Sequence, residues 1–453
     1  MSKLRDDYEK AQQLGKAAFL ERPYFGSPGA PAQAETNSSQ VWGHINAGYL
    51  IGYEYTRWWR ESRALRQGAM LGDWSWLNKT RVTGPDAARF MAYATVKDLS
   101  KREPGHITYT PMASEDGKVA VEGLTWHLAA DEFIFTQSAG LKWLEHLRGK
   151  TGMKVDLEDV TPDYTVFALQ GPRSTEVIEA LTGEKWADMR FSRFRKMTFL
   201  GAEVLVGRQG VTGEVGYEFM MHTGTTRAHE LWRKLRELGR DFGVRELGFK
   251  AQLIGHTETG IATVIRDFLP ARGTPDQMRR MLRYWLPEDE LASLPWDPAE
   301  HFCSPAELGW AYTVSLGKED FHGKAALARE AAEGGPARRL VGLEWSSRDM
   351  GALYAAQFAD APCAPAPDLP TGHFQPLYLK VMQGERRAGW ASGYAYSPTL
   401  RRMISLGRLE RSIADGAEVD VLWGGLAGEP VARIRARVLK LPFIERQREK
   451  VLD

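Results

Sequence analysis

Residues Arg208 to Met221 read Arg-Gln-Gly-Val-Thr-Gly-Glu-Val-Gly-Tyr-Glu-Phe-Met-Met. Gly210, Gly213 and Gly216 allow backbone to approach a ligand closely. Glu218 opens an apolar run, a place where a carboxylate serves to bind or to cap. Gly207, Gly210 and Gly213 do not form G-x-G-x-x-G, and strand-like residues follow them. Without a helix N-terminus, dinucleotide binding loses its physical basis. Neither a P-loop nor a G-x-S-x-G elbow occurs. The histidines are scattered, with no H-x-x-x-H and no Cys/His cluster, so no metal site is expected. Cys303 and Cys363 lack a catalytic context and read as inert. Trp42, Trp58, Trp59, Trp74 and Trp76 either pack in the core or supply an aromatic cage for a cation.

These residues need elements to carry them. Ile107–Gln137 reads as a β-meander, with Asp116-Gly117 as the hairpin turn between Ile107–Ala113 and Lys118–His127, and Phe133–Gln137 as the third strand. Val204–Val206 and Tyr217–Met221 are further strands. Ala228, Leu231, Trp232, Leu235 and Leu238 follow helical spacing from Arg227 to about Arg240, with Thr225 or Thr226 as cap. Residues 23–40 read as a loop or arm, and Ala332–Arg338 as a linker. Beyond it the pattern is all-β: Leu340–Trp345, Arg387–Tyr394, Glu418–Trp423 and Val431–Leu439. In the last, Arg433, Arg435 and Arg437 alternate with apolar residues, which gives a half-buried strand with a basic outer face.

A length of 453 residues suggests two or three domains. Hydrophobic content of 43% and charged content of 26% suit a soluble globular chain. A net charge of +1 gives no argument for nucleic acid or an acidic partner. Two cysteines suit a reducing cytosol. The N-terminus has no apolar signal region, and no run is long enough to span a membrane. A cytoplasmic protein with neither nucleic-acid nor membrane partners is therefore expected.

The Thr-Gly-Glu-x-Gly-Tyr-Glu pattern ending at Glu218 resembles the folate-binding hairpin of the glycine-cleavage T-protein superfamily. Four other segments resemble it in order: Leu71–Phe90, Phe167-Ala-Leu-Gln-Gly-Pro-Arg173, Leu308–Leu327, and Gly393-Tyr-Ala-Tyr-Ser-Pro-Thr-Leu400 followed by Ile404-Ser-Leu. Within that superfamily the chain is most similar to the tetrahydrofolate-dependent aromatic O-demethylases of the vanillate and syringate type. That similarity rests on Leu343–Phe358, Tyr284-Trp-Leu-Pro287 and Gly393-Tyr-Ala-Tyr396.

The resemblance implies an α+β protein of three lobes around a central folate channel. Two are interleaved mixed α/β domains, approximately 40–74 with 151–245 and 75–150 with 246–330. The third is a C-terminal β-barrel over 337–453. It also implies roles. Glu218 would grip the pterin, because a carboxylate can accept two hydrogen bonds from a 2-amino-pyrimidinone edge; otherwise it is a surface strand residue. Tyr217 would pack or stack beside it. Gln170 would approach the cofactor or cap its turn. Glu258 and Tyr394 complete the expected cofactor contacts. Glu122 falls where the family places an acid, usually Asp, near the pterin 5-nitrogen; there it would orient the folate or relay a proton, unless it is simply a strand residue.

Two departures stand out. Gln252 occupies the position of the demethylases' acidic Tyr, and an amide is no useful general acid. The Arg that pairs with a substrate carboxylate is absent after the third meander strand, where Gln137 stands. Either the donor lacks a carboxylate or Arg266 binds it. His256 is either the acid, since imidazole titrates in range, or a structural hydrogen-bonder. The implied activity moves a methyl group from a small methoxy-aromatic to tetrahydrofolate, giving a phenol and 5-methyl-tetrahydrofolate. Demethylation of a sulfonium or quaternary ammonium donor, or folate binding without catalysis, are the alternatives.

Overall fold

The computed structural model describes residues 3–14, 25–45, 49–137, 140–225, 227–292, 294–425 and 428–450. Alternation along Tyr164–Gln170 sets the architecture: Val166, Ala168 and Gln170 face one side of the strand, and Phe167 and Leu169 the other. This strand lies in a six-stranded sheet of order Phe194–Phe199, Ala202–Arg208, Gly216–His222, Tyr164–Gln170, Ala69–Asp73, Val244–Glu246. Neighbours are antiparallel except the last pair. Phe167, Leu169, Tyr217 and Phe219 lie under helices Ser174–Thr182 and Ala228–Gly239, packing on Val177, Ile178, Leu231, Trp232 and Leu235.

The opposite face meets a second sheet, of order Ile107–Ala113, Val119–Ala129, Glu132–Thr136, Lys79–Thr83, Asp156–Asp159. Val166, Ala168 and Met220 of the first sheet pack on Ile107, Trp126 and Ile134 of the second. Burying a side chain such as Ile107, Ile134 or Met220 contributes about 1.5–3 kcal/mol. Gly207 permits this approach, because a Cβ there would run into Ile107 and Trp126. The outer face of the second sheet, with Val82, Phe133 and Phe135, packs on helices Ala87–Ala94 and Gly140–Thr151. The chain leaves the first sheet at Asp73, enters the second at Lys79, and returns through Asp156–Asp159 to Tyr164, so the two lobes are interleaved. Asp156–Asp159, grouped by the sequence reading with the first lobe, pairs with Lys79–Thr83 in the second.

The third lobe is a closed six-stranded barrel of order Arg338–Trp345, Arg402–Glu410, Arg386–Ser397, Leu379–Gln383, Glu418–Gly424, Val431–Leu439. The fold is thus α+β, with two mixed α/β lobes and a C-terminal barrel. The arginine stripe of the last strand lies on the outside and pairs with acids: Arg433 with Asp420, Arg435 with Asp349, Arg437 with Glu344.

Two local expectations are corrected. The arm holds a short helix, Ala30–Ala34, because Pro31 starts it and Ala32 and Gln33 bury against the first lobe. Helix Ala228–Gly239 begins after Arg227 without a side-chain cap, and Thr226 lies outside the described residues. Among the described residues no helix is long and apolar enough to cross a membrane.

Candidate active site

Strand register brings the two principal carboxylates into the seam between the sheets. Glu218 pairs across from Ala168 and Gly207, so it shares the seam face with Ala168 and Met220. It is 4% exposed, and its Oε1 has no hydrogen-bond partner. Burial pushes its carboxyl up to about 7, and Lys79 pulls the other way. Lys79 is fully buried at the start of strand Lys79–Thr83 in the second sheet, where its ammonium donates to the carbonyls of Ser75 (2.9 Å) and Leu77 (2.6 Å). Burial brings that amine down to about 7, opposed by Asp73, Asp159 and Glu218.

Gln170 is the diagonal cross-strand neighbour of Glu218 and faces the same way. Its Oε1 accepts from the amide (3.2 Å) and hydroxyl (2.6 Å) of Thr212, which leaves a buried, unpartnered Nε2. Trp126, beside Gly207, also buries an unpartnered Nε1.

In the second sheet Glu122, Leu124 and Trp126 share the seam face by the same alternation. Gln137 Nε2 donates to Glu122 Oε1 at 2.8 Å, and the Tyr109 hydroxyl also hydrogen-bonds this carboxylate. Burial holds Glu122 above the usual carboxylate range, opposed by those two donors. Tyr109 itself was missed by the sequence reading. The hairpin register around Asp116-Gly117 was the available signal: Pro111 pairs with Glu122 and Tyr109 with Leu124, which puts phenol and carboxylate side by side.

Tyr217 lies on the other face of its strand from Glu218, and its hydroxyl contacts Thr175 (3.0 Å) and donates to the Trp186 carbonyl (3.3 Å). The expected stacking beside Glu218 is therefore corrected, because adjacent strand residues alternate. Glu258 is enclosed by protein donors: Arg66 reaches Oε2 (3.0 and 2.8 Å) and Ser397 reaches Oε1 (2.6 Å). Arg66 also binds Glu214 at 2.8 Å, so this cluster ties the first lobe to the barrel. The Tyr394 ring packs inside the barrel against Trp345 and Trp423, while its carbonyl accepts from Arg266 (3.2 Å) and Thr371 (2.8 Å).

Gln252 and His256 are four residues apart on helix Phe249–Glu258, on one stripe with Phe249 and Leu253. At its start Phe249 packs in a hydrophobic cluster, 5.3 Å from Tyr53, 5.6 Å from Phe374 and 6.0 Å from Trp76. His256 Nδ1 meets the Thr263 hydroxyl at 3.1 Å, and its Nε2 is buried without a partner. Burial and then Arg266 bring its pKa down to about 3. The imidazole is therefore neutral near pH 7, able to donate or accept a hydrogen bond but not pre-charged as an acid. Arg266 lines a 180 Å³ cavity at the barrel mouth together with Thr371, His373 and Trp423. Among the described residues no cluster of His, Cys, Asp and Glu could hold a metal.

The unpartnered atoms fit a reduced pterin. Its pyrimidinone edge presents N–H donors beside a carbonyl, complementary to the Glu218 acceptor and the Gln170 donor. Glu218 Oε1 and Gln170 Nε2 thus place an unpaired acceptor and an unpaired donor on one face.

Residues 38–277 match the family model described as GCVT N-terminal domain. The chain is 29% identical over 396 residues to the sesamin methylene transferase of Sinomonas sp. (strain No.22), covering 82% of this chain and 85% of that protein. It is 29% identical over 370 residues to the aminomethyltransferase of Alkaliphilus metalliredigens (strain QYMF), covering 80% and 84%. The glycine cleavage system aminomethyltransferase T from Bartonella henselae shares the fold, with a TM-score of 0.69 at 20% identity over 93% of this chain and 99% of that one. The chain therefore belongs to the GCVT aminomethyltransferase family, folate-dependent one-carbon transferases for which tetrahydrofolate is the acceptor.

Proposed function

We propose that this enzyme transfers the methyl group of a small methoxy-aromatic compound to tetrahydrofolate, giving the free phenol and 5-methyl-tetrahydrofolate. The observation that carries this reading is the helix stripe that sets Gln252 and His256 together, one end of it beside the aromatic cluster around Phe249, on a helix that also contributes Ala251 to the seam. Flat aromatic surfaces of this kind suit an aromatic donor.

In the transfer, the methyl–oxygen bond breaks with its electron pair left on the oxygen, a methyl–nitrogen bond forms from the lone pair of the folate 5-nitrogen, the proton of that nitrogen passes to Glu122, and the phenolate takes a proton from solvent on release. Glu218 and Gln170 hold the pterin edge. Glu122, with its carboxyl raised by burial and steadied by Gln137 and Tyr109, takes up the proton released at the nitrogen. His256, neutral, donates a hydrogen bond from Nε2 to the oxygen as charge develops there. Gln252 can supply a second donor from the same stripe.

A second reading has support from the relative named for sesamin methylene transfer: the donor gives up a methylene rather than a methyl carbon. Anaerobic incubation with tetrahydrofolate separates the two by the mass of the folate product. The donor panel should hold carboxylated and uncarboxylated methoxyphenols, methylenedioxy aromatics, a sulfonium and a betaine. A methyl adduct from a methoxyphenol supports the first reading. A methylene adduct supports the second. Turnover of only the onium donors would overturn both.

A further inference from the structure

Strand register sets Lys79 on the seam. It pairs across from Thr136, and Thr136 pairs across from Leu124, which alternates with Glu122 and Trp126 on the seam face. Its backbone is fixed on both sides: the amide donates to the Thr161 hydroxyl and the carbonyl accepts from Val160 N, both at 2.9 Å. The side chain runs back along the crossover between the sheets, residues 74–78, where two of the three ammonium N–H groups go to the Ser75 and Leu77 carbonyls. That crossover is itself stitched to the first sheet. Trp74 N donates to the Val166 carbonyl at 2.8 Å, and Val166 N donates to the Ser75 hydroxyl at 3.1 Å. Val166 stands two residues before Ala168, the cross-strand partner of Glu218, and on the same face. The ammonium is thus tethered beside the strand that pairs with Glu218, and the two charges act on each other.

The acids around this ammonium differ in what serves them. Asp73 accepts from the Ser27 hydroxyl, from Gln33 Nε2 (2.5 Å) and from the Ser75 amide (2.9 Å). Asp159 accepts from the Tyr8 hydroxyl and the Thr161 amide, both at 2.9 Å. Glu122, elsewhere on the seam, has Gln137 and Tyr109. Among the described residues, Glu218 has Lys79 as its one charged neighbour and an Oε1 that no donor reaches. Without that cation, burial would favour the neutral carboxylic acid. The acid form carries its own O–H, so it would meet one of the two N–H groups of a pterin edge with a donor rather than an acceptor.

We propose that Lys79 is a positioning residue for the acceptor: tethered to the crossover, its ammonium holds Glu218 in the carboxylate form that accepts from both N–H groups of the pterin edge. The proposal rests on Glu218 gripping the pterin of tetrahydrofolate. Folate binding then depends on pH through this pair. Burial raises the Glu218 carboxyl to about 7, so affinity should climb as pH rises through that value, and a proton should leave on binding below it. Asp73 and Asp159, the other charges acting on the ammonium, favour its cationic form.

Anaerobic calorimetry of tetrahydrofolate with the full chain, between about pH 6 and 9, tests this. Wild type should gain about tenfold in affinity across that range. Lys79→Met should move the climb upward by about one pH unit or more, binding about tenfold more weakly near pH 7 and approaching wild type at the alkaline end. Lys79→Arg, which keeps a charge, should recover much of the affinity near pH 7. Glu218→Gln should abolish the climb, and adding Lys79→Met to it should change nothing further. A role for Lys79 in packing alone would weaken binding equally at every pH and in both backgrounds. That result would overturn the proposal while leaving Glu218 as the pterin ligand, and so would a wild-type affinity that does not change with pH. Glu218→Gln binding as tightly as wild type at every pH would overturn the grip itself. If Lys79→Met does not fold, Lys79→Gln keeps donors for the Ser75 and Leu77 carbonyls without the charge, and the same comparison decides.

Discussion

Glu218 is held in the seam at a cost that its ligand removes. Its carboxyl is raised to about 7 from an ordinary 4.5 because nothing in the protein solvates Oε1. A raised carboxyl favours the folded state most below pH 4.5, and that contribution is lost as pH rises through 7. Glu218→Gln should therefore melt higher than wild type at pH 8 in the absence of folate, with the difference shrinking at pH 5. The same substitution should weaken tetrahydrofolate binding by about 1.5–3 kcal/mol, the scale of a hydrogen bond to a charged group. Melts at two pH values and a titration check both halves. His256 makes a contrasting case. With its pKa near 3 it contributes no titration limb between pH 6 and 7. His256→Asn should lower kcat by roughly tenfold or more while leaving the shape of the pH–rate profile unchanged. A wild-type limb near pH 6.5 that vanished in the variant would instead make His256 an acid.

At the scale of elements, alternation and turns explain what was readable in the sequence. Asp116-Gly117 and the period-two pattern located the meander, and Ala432, Ile434, Ala436 and Val438 marked the last barrel strand. The same alternation separates Tyr217 from Glu218, but Gly216–His222 is buried on both faces up to Met221, so its sequence does not show which residue faces which layer. Lys79 gave no signal, because only the crossover from one sheet to the other brings it opposite Glu218. Glu258 was legible as a position but not as a strut, because its partners Arg66 and Ser397 lie far away in the chain. That strut is testable. Arg66→Met leaves Glu214 and Glu258 buried without their cation, and should cost about 3–5 kcal/mol in urea unfolding at pH 7. The loss should lessen in acid, where Glu214, raised by burial and no longer opposed by Arg66, protonates. A loss below about 1 kcal/mol would mean that the cluster contributes little beyond its packing.

Across the whole molecule, the site depends on chain segments that begin at one lobe and finish at another. The barrel closes its own hydrogen bonds, and the segment that follows adds only the Phe443 ring packed over Gly342. The first lobe does need that segment. Gly213 gives its carbonyl to two tail amides, the end of helix Phe249–Glu258 gives carbonyls to Arg446, and both supports flank residues that line the seam. A chain ending at Pro442 should therefore keep its barrel and lose order around the glycine-rich turn that sets Glu218. Each lost hydrogen bond is worth about 0.5–1.5 kcal/mol, so several together should weaken binding of tetrahydrofolate by tenfold or more. Hydrogen exchange would show the change as faster exchange at Thr212–Gly216 with the barrel strands still protected. Unchanged exchange there, with unchanged affinity for tetrahydrofolate, would show that the turn holds itself without the tail.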